Sequence, residues 1–175
     1  MQDNTGAVLS KNDIRDLLNS SPPLVENPAN LEEQLQPNGI DLTLRDIARL
    51  SSRGTIGQRN AQRVLSSSER MVFDENGFVN LTSGEYLITL NEIVHLPLNI
   101  MALAKPRSSL LRCGVAVHNA VWDAGYEGRS QALMVVYNRN GFQLQQDARV
   151  LQLVFFRLFN PSEGYKGYFQ RENMV

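Results

Sequence analysis

Cysteine and histidine are scarce in this sequence, with one cysteine, Cys113, and two histidines, His95 and His118, among 175 residues. A lone cysteine excludes an intrachain disulfide framework, and so few soft or imidazole ligands leave a zinc site of the usual kinds short of donors. An excess of one charge is missing too, since 17 Lys and Arg stand against 18 Asp and Glu with no basic run. A surface built to neutralise a nucleic-acid backbone is therefore not expected, and any phosphate ligand must be held in a local pocket. No apolar window approaches the ~20 residues that span a bilayer. The start, MQDNTGAVLSK, lacks the basic beginning and apolar run of a signal peptide. These absences point to a soluble, cytoplasmic protein with a reduced thiol and no membrane partner.

What is present is enough apolar material for one core: 42 % of residues are apolar and 20 % charged, which fits a single domain over 1–175. Within residues 1–20, Ser10 precedes KNDIRDLLNS, with Asp13 three residues on and Ile14, Leu17 and Leu18 at helical spacing. This predicts a short capped helix. SSPPLVENP then breaks it. From Ile40 onward, strand-length apolar stretches such as IDLTL, EYLITL, IMALAKP, ALMVVYN and RVLQLVFF are separated by Gly, Pro, Asn and Ser. One helix and many short strands predict an all-β sandwich, jelly roll or closed barrel. The polar stretch 51–70 reads as an insertion loop, and 160–175, mixing Gly, Tyr and Lys without sheet periodicity, as a mobile tail.

Four groups of residues bear on chemistry. Lys105-Pro-Arg-Ser-Ser-Leu-Leu-Arg112 concentrates guanidinium and hydroxyl donors after an apolar strand, which suits phosphate oxygens; a capped helical turn with solvated arginines is the plainer alternative. In Val121-Trp-Asp-Ala-Gly-Tyr-Glu-Gly128, Asp123 lies among apolar residues and can act as a general base once partly desolvated, or simply bond its own backbone in a turn. Asp41, inside the strand GIDLTL, is either near a hydrated metal ion or, more commonly, in a salt bridge. Gln152 is a lone amide in RVLQLVFF, as an outward or backbone-bonded residue would be. His118 is expected to be a packed or backbone-bonded strand histidine within GVAVHNAV, Cys113 to be a small buried residue, and Glu127 to be solvated.

The order of these groups is more specific than any one of them. PNGIDLTL, PRSSLLR, AVWDAGYEG, ARVLQLVF and a Gly/Tyr-rich tail, in that sequence, resemble the five motifs of the trimeric dUTPase and dCTP deaminase superfamily, from about Leu9 to the C-terminus. The resemblance implies a distorted jelly roll, assembled as a homotrimer with active sites between subunits. It implies that Arg107, Ser108, Ser109 and Arg112 hold a triphosphate whose Mg2+ is bound chiefly by phosphate oxygens and water. Asp123 would orient the water that attacks the α-phosphate, and Tyr126 would pack on deoxyribose. Asp41 would support metal-bound water or an arginine, and Gln152 would bond the ligand or brace the site. Tyr165, Lys166 and Gln170 resemble residues that close over bound nucleotide, with Tyr168 as an alternative partner for the base.

LSKNDIRDLL, QPNGIDL and RSSLLR resemble the deaminase branch more than ordinary dUTPases. In that branch a glutamate on the strand after the Asp-x-Gly-aromatic element shuttles protons at the base, whereas here the strand reads RSQALMVVYN, and no carboxylate occurs between Glu127 and Asp147. Leu133, Met134, Val135 or a neighbour fills the place, and an apolar side chain moves no protons. The expected activity is hydrolysis of dUTP to dUMP and pyrophosphate. The alternatives are a dCTP deaminase or bifunctional enzyme with an acid recruited from elsewhere, such as Glu163 or Glu172, and a nucleotide-binding homologue without turnover.

Overall fold

The computed structural model describes residues 7–174; the first six residues of the expected N-terminal helical region, and Val175, lie outside the described residues. Helix α1 (Lys11–Leu18) begins where the sequence places it. The Ser10 hydroxyl accepts from the Asp13 backbone N–H at 3.3 Å, and the Asp13 carboxylate accepts from the Ser10 N–H at 2.8 Å, a reciprocal capping box. Ile14 is the residue this helix commits fully to the core.

The remaining elements in chain order are β1 (Val25–Glu26), α2 (Leu31–Gln34), β2 (Leu35–Gln36), β3 (Gly39–Leu50), β4 (Ser68–Arg70), β5 (Phe78–Leu81), β6 (Gly84–Leu90) and β7 (Ile93–His95). They are followed by β8 (Ile100–Pro106), α3 (Ser108–Arg112), β9 (Val115–His118), β10 (Glu127–Gly128), β11 (Gln131–Val136), β12 (Phe142–Gln145) and β13 (Arg149–Arg157). The main antiparallel sheet runs β8-β13-β3-β6-β11-β9, with β2 and β4 added to β3; smaller sheets are β1-β7-β10 and β5-β12. The fold is thus mostly β, as the strand pattern predicts, in keeping with the jelly roll that the resemblance implies.

Period-two alternation builds the core. In β6, Tyr86, Ile88 and Leu90 are fully buried, and in β11 Ala132, Met134 and Val136 point inward. Strand β3 buries Ile40, Leu42 and Leu44 and then Ile47, because a register shift between Leu44 and Asp46 inserts one residue and re-aims the face. Each such buried aliphatic side chain stabilises the fold by roughly 1.5–3 kcal/mol relative to exposure. Among the buried polar residues is Glu92, whose carboxylate accepts from the Thr43 N–H (2.9 Å), the Thr43 hydroxyl (2.7 Å) and Gln34 Nε2 (2.7 Å). Three donors satisfy a group that burial pushes toward its neutral form.

The polar stretch 51–70 is a folded-back excursion. Thr55 and Val64 exchange backbone hydrogen bonds at 2.8 Å in both directions, and β4 returns to pair with the end of β3. Two smaller expectations are corrected, and a third is narrowed. Cys113 caps the end of α3 and is exposed, because the short helix turns its last residues outward. His118 is the backbone-bonded strand residue of the two alternatives, opposite Leu133 of β11 at the exposed end of β9. Glu127 is half-buried between His95 Nδ1 at 3.3 Å and Arg171 Nε at 3.0 Å, so it is not a free surface charge. No helix among the described residues is long and apolar enough to cross a membrane.

Candidate active site

The side chains singled out in the sequence fall into two groups. The first surrounds Asp41, near the start of β3. Strand β13 runs beside it, with Gln152 opposite Asp41 on one side and opposite Lys105 of β8 on the other. The Asp41 side chain is 2 % exposed and its Oδ2 lies 3.1 Å from Arg107 Nε and 3.6 Å from Arg149 Nη1. Burial pushes the Asp41 carboxyl up from its ordinary value, against the opposing pull of the two guanidiniums. Gln152 Nε2 donates to the Asn38 carbonyl at 3.4 Å. Arg107 then leads into α3, whose first turn holds Ser108 and Ser109 exposed; Arg112 donates back to the Ser108 carbonyl at 3.0 Å and is otherwise directed to solvent. The result is a cationic, hydroxyl-bearing edge whose arginine is fixed by a buried carboxylate.

The second group lines a pocket formed by the loop before β10, the start of β11 and the tail. Its walls include Trp122, Asp123, Tyr126, Gln131, Phe169 and Glu172. Gly125 makes the approach of the tail possible: its φ is +81°, and a Cβ there would lie 2.7 Å from Gly164 Cα. Tyr126 is nearly buried; its hydroxyl donates to Glu172 Oε1 at 2.9 Å and lies 3.1 Å from Ser130 Oγ, which also accepts from the Trp122 indole at 2.6 Å. Burial drives the Tyr126 phenol far above its ordinary value, so it stays a neutral donor. Burial likewise raises the Glu172 carboxyl, opposed by the bond from Tyr126. Tyr165 meets the Tyr126 ring edge-on, with centroids 5.8 Å apart.

The tail carries no strand but is pinned along residues 124–129. Tyr165 N–H donates to the Ala124 carbonyl (2.8 Å), Gln170 Nε2 to the Gly125 carbonyl (2.9 Å), Arg171 N–H to the Glu127 carbonyl (2.7 Å) and Arg129 N–H to the Glu172 carbonyl (2.9 Å). Lys166 is exposed. Asp123 sits at the pocket mouth, exposed within this chain. Its desolvation, which general-base chemistry asks for, is not supplied by the packing of the described residues around it. No hydrogen bond or ion pair among the described residues joins the Asp41–Arg107 group to the Asp123–Tyr126 group.

Two features were missed in the sequence. Arg149, the second partner of Asp41, stands just before the apolar run of β13 and had only its charge to mark it. Ser130, shared by Trp122 and Tyr126, carried no signal at all. Glu172 had been considered only as a recruited acid, and the structure brings it into the Asp123 pocket. Among the described residues no cluster of three or more His, Cys, Asp and Glu side chains is arranged to hold a metal ion, and the inner oxygen of Asp41 faces cations.

The face of β11 nearest this pocket bears on the chemistry. Met134 is fully buried on the core side, so Gln131, Leu133 and Val135 share the opposite face. Gln131 lines the pocket and donates to Thr89 Oγ1 at 3.0 Å. No residue of that face carries a carboxylate, and of the side chains lining the pocket only Asp123 and Glu172 do.

Residues 8–158 match the family model described as dCTP deaminase-like. A probable deoxyuridine 5'-triphosphate nucleotidohydrolase of Methanococcoides burtonii is 46 % identical over 168 residues, covering 95 % of this chain and 99 % of that one. The protein of the same name from Archaeoglobus fulgidus is also 46 % identical over 168 residues, covering 96 % and 98 %. The deoxyuridine 5'-triphosphate nucleotidohydrolase of Methanocaldococcus jannaschii is 34 % identical over 140 residues, covering 79 % and 88 %. Among solved structures, the 2'-deoxycytidine 5'-triphosphate deaminase of Agrobacterium tumefaciens aligns over 88 % of this chain with a TM-score of 0.67 and 23 % identity. This chain spans 49 % of that protein, and the likeness is one of fold.

Proposed function

This chain belongs to the dCTP deaminase-like family, and from that premise we propose that it is a dUTP diphosphatase, hydrolysing dUTP to dUMP and pyrophosphate. The observation that carries this choice within the family is the face of β11 beside the Asp123 pocket, which is Gln131, Leu133 and Val135 and offers no proton shuttle at a base. Curated relatives named as deoxyuridine triphosphate nucleotidohydrolases, matching nearly end to end, support the same choice.

In this proposal Asp123 accepts a proton from the water that attacks the α-phosphate, and Tyr126 packs its ring against the deoxyribose. Arg107, Ser108, Ser109 and Arg112 bind the phosphates, and Asp41 with Arg149 holds Arg107 in place from behind. Phosphoryl transfer depends chiefly on positioning and charge neutralisation, so one base and several fixed donors are sufficient in kind. Mg2+ would be held chiefly by phosphate oxygens and water beside Arg107, Ser108 and Ser109, with Asp41 at most an outer partner, and would supply neutralisation of phosphate charge there. Gln152 braces the Asp41 end of the site. Tyr165 and Gln170 hold the tail over the nucleoside, and Lys166 is free to reach a phosphate.

The separation of the two groups within one chain, and the exposed Asp123, support a homotrimer in which the phosphate-binding edge of one subunit completes the Asp123 pocket of the next. A neighbouring subunit would also desolvate Asp123. The enzyme is expected in the cytoplasm, with dUTP as its partner and no nucleic acid or membrane. A second reading is favoured by one observation, the arrival of Glu172 in the pocket: deamination of dCTP with Glu172 as the recruited acid.

The test uses purified protein with Mg2+ and either dUTP or dCTP, alongside Asp123→Asn and Glu172→Gln. Pyrophosphate and dUMP from dUTP, reduced at least a hundredfold in Asp123→Asn, with no uracil nucleotide from dCTP, is the expected result. A uracil product from dCTP that disappears in Glu172→Gln establishes the second reading instead. No product from either substrate leaves a nucleotide-binding homologue.

A further inference from the structure

We infer that Arg63, on the polar excursion between β3 and β4, is a positioning residue for this reaction: it clamps the tail aromatics that wall the Asp123 pocket. This inference rests on the function proposed above. Of residues 51–70, Arg63 and Ser66 are half-buried while the others are exposed, so Arg63 is one of the two points at which the excursion is covered. The Arg63 guanidinium lies 5.4 Å from the Tyr168 ring centroid and 5.7 Å from that of Phe169, and those two rings stand edge to face, 5.1 Å apart. A cation is drawn to the negative faces of aromatic rings at this range.

The guanidinium is itself steadied. Its Nη2 donates to Asn60 Oδ1 at 3.0 Å across a single 3₁₀ turn, Asn60–Gln62, and the paired bonds between Thr55 and Val64 hold the neck of the excursion. From there the contact passes directly to the site. Phe169 lines the pocket that holds Asp123, and Arg63 lies with Tyr165, Tyr168 and Phe169 along an adjoining cleft. Tyr165 then meets Tyr126 edge-on. A segment with no strand pairing of its own is thus held from two sides, by backbone bonds along residues 124–129 and by a cation over its aromatic tip. The excursion supplies the second hold. Because the tail walls the nucleoside site before and during reaction, loosening it weakens substrate and transition state alike and appears in KM.

The experiment compares the wild type, Arg63→Ala and Arg63→Lys, with Asp123→Asn as the reference for the chemistry. Chymotrypsin cleavage after Tyr168 and Phe169, without and with the non-hydrolysable analogue α,β-imido-dUTP, reads tail closure; steady-state hydrolysis of dUTP reads function. For Arg63→Ala the expected result is cleavage about five- to thirtyfold faster without nucleotide, a KM raised by a similar factor, and kcat within about twofold of wild type. Arg63→Lys, which keeps the cation, restores most of both, and the thermal midpoint is unchanged in either variant. Wild-type cleavage and KM in Arg63→Ala overturn the inference, as does a kcat loss at constant KM or a lysine variant no better than alanine. If the wild type releases no pyrophosphate from dUTP, the proposed reaction fails, while the cleavage comparison still decides whether Arg63 holds the tail.

Discussion

Replacing Tyr126 with phenylalanine removes one oxygen atom from the centre of the candidate site, and the structure says where the loss should be felt. The hydroxyl bonds Glu172 Oε1 at 2.9 Å and approaches Ser130 Oγ at 3.1 Å. Ser130 keeps the Trp122 indole as a donor at 2.6 Å, so it is not orphaned. Glu172 loses the only side-chain donor it has among the described residues. A hydrogen bond to a charged group contributes about 1.5–3 kcal/mol when well buried. Glu172 is only half-buried, and its tail segment can swing the carboxylate into water, so a value near the bottom of that range or just below it, about 1.4 kcal/mol, is appropriate. That is about a tenfold loss in the docking equilibrium of the tail. The ring stays packed, so global stability should change little.

Hydrogen exchange tests this directly. The Arg129 N–H is held by the Glu172 carbonyl and the Arg171 N–H by the Glu127 carbonyl. Both should exchange about ten times faster in Tyr126→Phe, while amides of β6 and β11 keep their protection. Unchanged exchange at Arg129 and Arg171, or a matching fall in the global unfolding free energy, would refute the reasoning: the hydroxyl would then brace the core and not the tail.

Arg107→Ala should destabilise the chain by about 2–3 kcal/mol in urea unfolding, less than the 3–5 kcal/mol for a buried carboxylate stripped of its sole partner, because Arg149 remains 3.6 Å from Asp41. The deficit should grow as pH rises, since a carboxyl whose folded-state value is raised loses stability as it ionises, and Asp41→Asn in the same background should recover part of it. Tail docking should also depend on pH. Glu172 is raised by burial when docked, so docking is strongest below the ordinary glutamate value and weakens as pH rises through the raised one, with Tyr126 and Asp123 the groups that share its pocket. Chymotrypsin susceptibility across that window, flat in Glu172→Gln, checks the sign.

The sequence by itself determined the start of α1, the class of fold and the residue types of the edge proposed to bind phosphate. These are local: Ser10 and Asp13 are three residues apart, the alternation of Tyr86, Ile88 and Leu90 is written within seven, and Arg107 to Arg112 form one continuous turn. The missing acid on β11 was legible for the same reason, because a strand presents alternate side chains to one face and the composition of that face can be read directly. Only the tertiary structure decided that Arg149 joins Arg107 at Asp41, that Glu172 enters the pocket of Asp123, and that Arg63 reaches the rings of Tyr168 and Phe169. These pairs are separated by about forty to more than one hundred residues, and contacts at that range depend on how sheets close and where a tail without periodicity comes to rest. Burial was decided there as well: cysteine is among the residue types most often buried, yet the end of a short helix leaves Cys113 at the surface.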